Sequence, residues 1–130
     1  METYLIANEQ QVEQLLSLVC QYGLDYPAAL DKLTVGEIAS MYDGVGPADW
    51  SFRKREALTL AFSVYAPCVM IHDICTNLGT VSREIADAML FSNLIKTWAT
   101  VFGPFRWLRP AAWVERVKII PLLYENLTGN

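Results

Sequence analysis

The chain has 130 residues, the length of a single domain, and 53% of them are hydrophobic while only 18% are charged. This composition excludes intrinsic disorder for all but the chain ends. The net charge of -4 argues against a general nucleic-acid binder, so no direct nucleic-acid binding is expected. The charge is uneven, because the first 50 residues carry a net charge of -7 and the remaining 80 carry +3.

Helical periodicity predicts three short elements in the first 42 residues. Asn8 is a suitable N-cap for the first helix, and Gly23 ends it. Pro27 opens a turn of helix that runs to Leu33. Thr34 and Glu37 then form the capping box of another short helix.

The second part of the chain predicts longer helices. A loop of two glycines and a proline, Asp43 to Pro47, first interrupts the periodicity. Helices are then expected over about 51–65, 67–78, 83–102 and 110–120. Pro121 is expected to break the last helix, with residues 125–130 fraying. Residues 118–123 are alternatively compatible with a short strand.

The sequence thus predicts an all-α fold, a compact bundle of about six helices in one domain over residues 1–130. Two central antiparallel helices are expected to carry His72 and Asp87. We divide the domain into an N-terminal helical extension (1–41), a central motif region (42–90) and C-terminal helices (91–130).

The N-terminus lacks the basic and apolar stretches of a signal peptide. The longest uncharged run, Ala57 to Ile71, has 15 residues and contains a proline. A bilayer span needs about 18 to 20 apolar residues, so no transmembrane helix is expected. The sequence therefore predicts a cytoplasmic protein.

The three cysteines are Cys20, Cys68 and Cys75. Cys68 and Cys75 lie seven positions apart on one predicted helix, which separates them by about 10 Å along its axis. A disulfide does not bridge that distance. We expect all three to be small buried thiols.

Three short segments, residues 42–47, 68–75 and 83–87, hold side chains that together can perform chemistry. On a helix, His72 and Asp73 point about 100° apart and can address different neighbours. A glycine loop can turn its carbonyl oxygens inward, and these oxygens with a carboxylate are ligands that calcium takes. Asp87 can accept a hydrogen bond from one ring nitrogen of His72, which leaves the other nitrogen basic.

These segments together resemble the secreted phospholipase A2 superfamily. Within it, they are most similar to the short domain of parvoviral capsids and to small phage proteins with a glycine loop, a His-Asp pair and a later Ala-Asp. The resemblance covers residues 42–90 and implies a phospholipase A2-like core. It also implies that His72 activates a water molecule and that Asp87 orients His72. The calcium ligands that it implies are the backbone carbonyls of the loop residues Tyr42, Gly44 and Gly46 and the carboxylate of Asp73.

The chain departs from this family at three points. Thr76 stands where the family has a tyrosine that helps to hold the partner of the histidine. The family's disulfide framework is missing. A predicted helix, over about Ser51 to Tyr65, lengthens the segment between the glycine loop and His72.

Each of these residues also has a simpler interpretation. His72, the only histidine, is alternatively a hydrogen-bonded residue of the core, and Asp73 a surface acid of a helix. The glycine loop is alternatively a plain connection between two helices.

An aromatic stretch mixed with arginines lies in the C-terminal helices. It contains the interface candidates Trp98, Phe105, Arg106, Trp107, Arg109 and Trp113. Such residues suit a surface that meets anionic lipid, or a patch that binds a protein partner. Aromatic residues at this spacing are alternatively part of the core.

From these observations we predict a small phage or prophage-type protein on a phospholipase A2-like scaffold. It is expected to act without catalysis by binding a protein partner, as a virion or assembly component or as an inhibitor of a host protein. The alternative is a calcium-dependent lipid ester hydrolase that uses the His-Asp pair. A site with one carboxylate should bind calcium at about 0.1 to 1 mM, so activity would follow release on lysis or packaging in a virion.

Overall fold

The computed structural model describes residues 9–41 and 63–128, and every regular element within these ranges is helical. The α-helices are α1 (Glu9–Tyr22), α2 (Val35–Met41), α3 (Ala66–Leu78), α4 (Arg83–Phe102), α5 (Pro110–Val114) and α6 (Ile120–Thr128). Short 3-10 helices span Ala28–Lys32, Ser63–Tyr65 and Arg106–Leu108, and a π-helical turn, Glu115–Ile119, joins α5 to α6. The all-α prediction is therefore confirmed for the described residues. Because α5, the π-helical turn and α6 form one continuous helix, the described residues contain five helices besides the short 3-10 helices. The helix predicted over about 51–65 lies mostly outside them.

Local sequence signals explain where these helices begin and end. The Glu37 N–H donates to Thr34 Oγ1 at 3.1 Å and the Thr34 N–H donates to Glu37 Oε1 at 2.8 Å, which is the predicted capping box of α2. At the start of α4, the Ile85 N–H donates to Ser82 Oγ at 3.2 Å. Gly79, with a φ of 66°, ends α3 in the left-handed conformation that glycine adopts without strain.

The pair α3 and α4 forms the centre of the fold. Cys68, near the start of α3, contacts Thr97 near the end of α4. His72, later on α3, contacts Asp87 near the start of α4. Since the order of contacts is reversed, the two helices run antiparallel, as predicted. Most of α3 is buried, which agrees with its largely apolar sequence.

The other described helices share a hydrophobic core with this pair. Residues Val12 and Val19 of α1, Ile38 of α2, and Ile120 and Leu123 of α6 are buried in it. None of the described helices is long and apolar enough to cross a bilayer.

A buried side chain attaches the turn after α1 to α4. Asn93, which is fully buried, accepts the Asp25 N–H and donates to the Asp25 carbonyl, each at 2.8 Å. Lys96 Nζ lies 3.0 Å from Asp25 Oδ1. The amide of Asn93 therefore pairs with this turn as a second backbone would, and the turn gives the buried Asn93 amide its hydrogen-bond partners.

The sequence predicted that the C-terminal helix ends at Pro121, but the helix continues past this residue. Residues 118–123 do not form a strand either. Proline has no N–H to donate, and its ring collides with the carbonyl four residues earlier in a regular α-helix. Here the Ile120 N–H bonds to the Glu115 carbonyl, five residues back, in the π-helical turn just before Pro121. The wider turn accommodates the proline ring, and the helix continues to Thr128. The Thr128 carbonyl accepts a hydrogen bond from Arg83 at 2.9 Å, which holds a segment that was expected to fray.

Candidate functional site

A histidine and an aspartate from the two central helices meet at the candidate site. His72 Nε2 lies 2.9 Å from Asp87 Oδ1, which is within hydrogen-bond distance. The side chain of His72 is 9% exposed and that of Asp87 is 19% exposed. The structure thus brings together the two residues that the sequence predicted to pair.

Secondary structure positions both side chains. His72 lies in the middle of α3, where neighbouring turns of helix fix its backbone. Asp87 lies one turn into α4, and the Ser82 cap defines the start of that helix. The turn between Gly79 and Ser82 is short, so the middle of α3 faces the first turns of α4.

The hydrogen bond to Asp87 determines the chemistry that the imidazole can perform. A carboxylate only accepts hydrogen bonds, so Nε2 of a neutral His72 carries the proton and donates it to Asp87. The lone pair then lies on the other ring nitrogen, Nδ1. An oriented imidazole with a free lone pair is the arrangement of a general base.

The second oxygen of Asp87 faces a cation. Arg83 Nε lies 3.8 Å from Asp87 Oδ2, one turn earlier on α4. Thr76, which replaces the tyrosine of the resembled family, donates its hydroxyl to the His72 carbonyl at 2.9 Å. This contact occupies the threonine hydroxyl on the backbone of the preceding turn of α3.

The predicted calcium ligands are only partly within the described residues. Asp73 is partly buried and follows His72 on α3. Tyr42, Gly44 and Gly46 lie outside the described residues.

The end of α2 lies near Asp73 in the described residues. Asn77 Nδ2 donates to the Asp73 carbonyl at 2.9 Å and lies 3.4 Å from the carbonyl of Met41, the residue before Tyr42. Met41, the last described residue before the glycine loop, therefore lies within one helical turn of Asp73. The described residues hold no cluster of three or more His, Cys, Asp or Glu side chains suited to a metal ion, and the site implied by the resemblance has only one carboxylate.

The cysteines form no disulfide and are not all buried. Cys68 is buried with its Sγ 3.2 Å from Thr97 Oγ1, and burial raises its pKa to about 12. Burial also raises the pKa of the Cys75 thiol. Cys20 was predicted to be buried but is exposed, because α1 buries the face that carries Val19 and turns the next residue outward.

The aromatic stretch is divided between the core and the surface. Trp98 is buried and its Nε1 donates to the Ala112 carbonyl at 2.8 Å, so it belongs to the core, as the alternative interpretation held. Its ring packs edge-on against Trp107 at 5.0 Å between centroids, and Trp107 packs against Trp113 at the same distance. Arg106 lies over the Trp98 and Trp107 rings at 5.4 and 5.8 Å.

The exposed members of this region form a surface that we call the aromatic tip. It consists of Phe105, Trp107, Leu108 and Trp113, which are 70%, 50%, 79% and 42% exposed. Arg109 is also exposed and donates to the Phe102 carbonyl at 3.2 Å. Leu108 was not among the interface candidates predicted from the sequence. Its position between Trp107 and Arg109 was the signal that could have indicated it. From residue 98 to residue 118 the chain has four basic residues and one acidic residue, so the segment that carries the aromatic tip is basic.

Comparisons with models of protein families, with curated proteins and with solved structures find no match to this chain.

Proposed function

We propose that the protein hydrolyses lipid esters, with His72 as the general base and Asp87 as the residue that orients it. The observation that carries this proposal is the distance of 2.9 Å between His72 Nε2 and Asp87 Oδ1. His72 is buried and keeps a small exposed fraction of 8%. The hydrogen bond between His72 and Asp87 is largely shielded from solvent, and this shielding strengthens it.

The reaction begins with a proton transfer to His72. Nδ1 takes a proton from water, and the water oxygen attacks the carbonyl carbon of the ester. When the tetrahedral adduct collapses, the bond to the alcohol oxygen breaks and that oxygen takes the proton from His72. The negative charge of Asp87 stabilises the imidazolium between these two transfers.

Bound calcium would supply positive charge for the developing oxyanion. We propose that the Asp73 carboxylate and the carbonyls of Tyr42, Gly44 and Gly46 hold it. The contact of Asn77 with the carbonyls of Met41 and Asp73 supports this set of ligands, since it brings the residue before Tyr42 within one helical turn of Asp73.

The aromatic tip supports lipid as the substrate class. Exposed tryptophan and aliphatic side chains, flanked by basic residues, suit a surface that enters the interface of an anionic membrane. A phosphate-rich bilayer would attract the basic part of the chain, whereas the acidic N-terminal half would stay away from it.

Fatty-acid release from vesicles tests this proposal. The full chain is incubated with phosphatidylglycerol vesicles in 5 mM calcium, and His72→Gln is compared with wild type. We expect His72→Gln to lower the rate by about 10²-fold or more, because the general base is lost. Circular dichroism confirms that the variant is folded. Absence of release by wild type, or equal release by His72→Gln, would overturn the proposal.

The aromatic tip also favours a second function, the binding of a protein partner without catalysis. Tryptophan and arginine are the residues most enriched at the energetic centres of protein interfaces. The basic surroundings of the tip select a partner whose surface is acidic and has an apolar pocket. A partner of this kind fits the earlier prediction of a virion protein or a host protein.

This second function is tested with a purified partner of that chemistry, once one has been captured and identified. Calorimetry should show that Trp107→Ala and Leu108→Ala weaken its binding by about tenfold or more. Val101→Ala, an exposed apolar residue of α4 outside the tip, is the matched control. Unchanged affinity in the two tip variants would overturn this function, and loss of binding to anionic vesicles instead would assign the tip to lipid.

A further inference from the structure

The carboxylate of Asp87 has two oxygens, and the contact with His72 uses only one of them. Oδ1 lies 2.9 Å from His72 Nε2, and Oδ2 lies 3.8 Å from Arg83 Nε. The terminal torsion of an aspartate is broad, so a carboxylate held at one oxygen can still rotate. A cation at the second oxygen restricts that rotation and keeps Oδ1 directed at the imidazole.

The guanidinium of Arg83 is itself held on its other side. Its Nη2 donates to the carbonyl of Thr128, the last residue of α6, at 2.9 Å. The carbonyls at a helix C-terminus attract cations. A planar guanidinium with donors on several edges can bind this carbonyl and face a carboxylate at the same time, which a lysine ammonium does less well.

This arrangement has little value for stability. The side chain of Arg83 is 66% exposed, and exposed ion pairs add little to the free energy of folding because water screens them. The two contacts of Arg83 bear instead on the direction of the Asp87 carboxylate, the partner of His72. These contacts also connect the Asp87 carboxylate to the C-terminal end of α6, the segment that was predicted to fray.

We propose that Arg83 is a positioning residue for the pair His72 and Asp87, and that α6 acts on this pair through Arg83. The proposal rests on the proposed function for its kinetic consequence. Its structural consequence, a firmer hydrogen bond between His72 and Asp87, is independent of catalysis.

Nuclear magnetic resonance of the imidazole tests the structural consequence. His72 is the only histidine, so selective labelling with ¹⁵N-histidine gives one ring to observe in the full chain. The rate at which the proton on Nε2 exchanges with water is measured in wild type, Arg83→Gln, Arg83→Lys and Asp87→Asn. We expect Arg83→Gln to raise the exchange rate about fivefold or more, Arg83→Lys to raise it less, and Asp87→Asn to raise it most.

Arg116→Gln is the matched control, since it removes the same charge from the π-helical turn, where Arg116 lies over the Phe91 ring. Urea unfolding is measured for each variant, and Arg83→Gln should unfold close to the wild-type midpoint. An exchange rate unchanged in Arg83→Gln would overturn the proposal. So would an equal rise in Arg116→Gln, which would show a general effect of charge.

Kinetics with phosphatidylglycerol vesicles separates this proposal from the proposed function. We expect Arg83→Gln to lower kcat about fivefold to tenfold with KM changed less than twofold, because substrate contacts are not altered. If wild type releases no fatty acid while Arg83→Gln still speeds proton exchange, the hydrolase proposal fails and the positioning role stands. If wild type is active and Arg83→Gln alters neither exchange nor kcat, the positioning role alone fails.

Discussion

Nε2 of His72 lies 2.9 Å from Oδ1 of Asp87, although 15 positions of the chain separate the two residues. The contact depends on the antiparallel packing of α3 and α4, which brings the middle of one helix to the first turns of the other. It leaves the second ring nitrogen of His72 with the lone pair that a general base requires.

Under the proposed function, this relationship predicts how Asp87 affects the hydrolysis of lipid esters. Asp87→Asn keeps the shape of the side chain but removes the charge that stabilises the imidazolium and selects the tautomer. We expect fatty-acid release from vesicles to fall by about 10²-fold to 10⁴-fold. Glu84→Gln, an exposed acid of the same helix, is the control and should keep the wild-type rate. A rate for Asp87→Asn within twofold of the control would contradict the assigned role.

The contact between Asn93 and Asp25 predicts a large loss of stability on truncation. Asn93→Ala removes two hydrogen bonds of 2.8 Å to the backbone of Asp25 and opens a cavity at a fully buried position. We expect the free energy of unfolding to fall by about 2 to 4 kcal/mol in urea titrations. Ser92→Ala, which loses only a contact of 3.5 Å to Asp25, should cost about 0.5 kcal/mol or less. Equal effects of the two substitutions would refute this account of how the turn after α1 is held.

The cysteines predict a simple count of reactive thiols. Cys20 is exposed, whereas Cys68 and Cys75 are buried and their thiolate forms are disfavoured. In native conditions at pH 8 a chromogenic disulfide reagent should therefore titrate one thiol rapidly, and in denaturant it should titrate three. Cys20→Ser should abolish the rapid phase. A rapid phase that persists in this variant would show that α3 opens more readily than its burial implies.

The raised pKa values predict that stability declines at alkaline pH. Burial raises the pKa of Cys68 from 9.0 to about 12, so between these values the unfolded chain releases a proton that the folded chain keeps. The unfolded state then binds fewer protons, and the free energy of unfolding falls by up to about 1.4 kcal/mol per pH unit from this thiol.

Other groups change stability in the same direction. Burial, with the nearby Glu115 carboxylate as a second cause, raises the pKa of Tyr65, and burial raises that of Cys75. Urea titrations at pH 8.5 and pH 10 should therefore show lower stability at the higher pH. The decline should be shallower in Cys68→Ala, because one of the contributing groups is removed. A decline of equal slope in Cys68→Ala would show that this thiol is not the group responsible.

Much of the candidate site could be predicted from the sequence because its parts are local patterns. The helical periodicity and the glycine and proline positions delimited α3 and α4, and with them the helices that carry His72 and Asp87. The roles of Arg83 and Asn93 could not be predicted in this way. Arg83 resembled any exposed arginine at a helix start, and its partner Thr128 is 45 positions away. Asn93 resembled any polar residue in a helix, and its partner Asp25 is 68 positions away.

The sequence by itself determined the helical class and the caps of α2 and α4, and it indicated His72 and Asp87 as candidates whose contact depends on how α3 and α4 pack. Capping and periodicity depend on residues within about four positions, so they can be read without a fold. Only the tertiary structure decided that Trp98 is core while Trp107 and Leu108 are surface, and that a π-helical turn carries the last helix past Pro121. Burial and helix continuation depend on which segments pack together, and the free energy of that packing outweighs the local preference of any single residue.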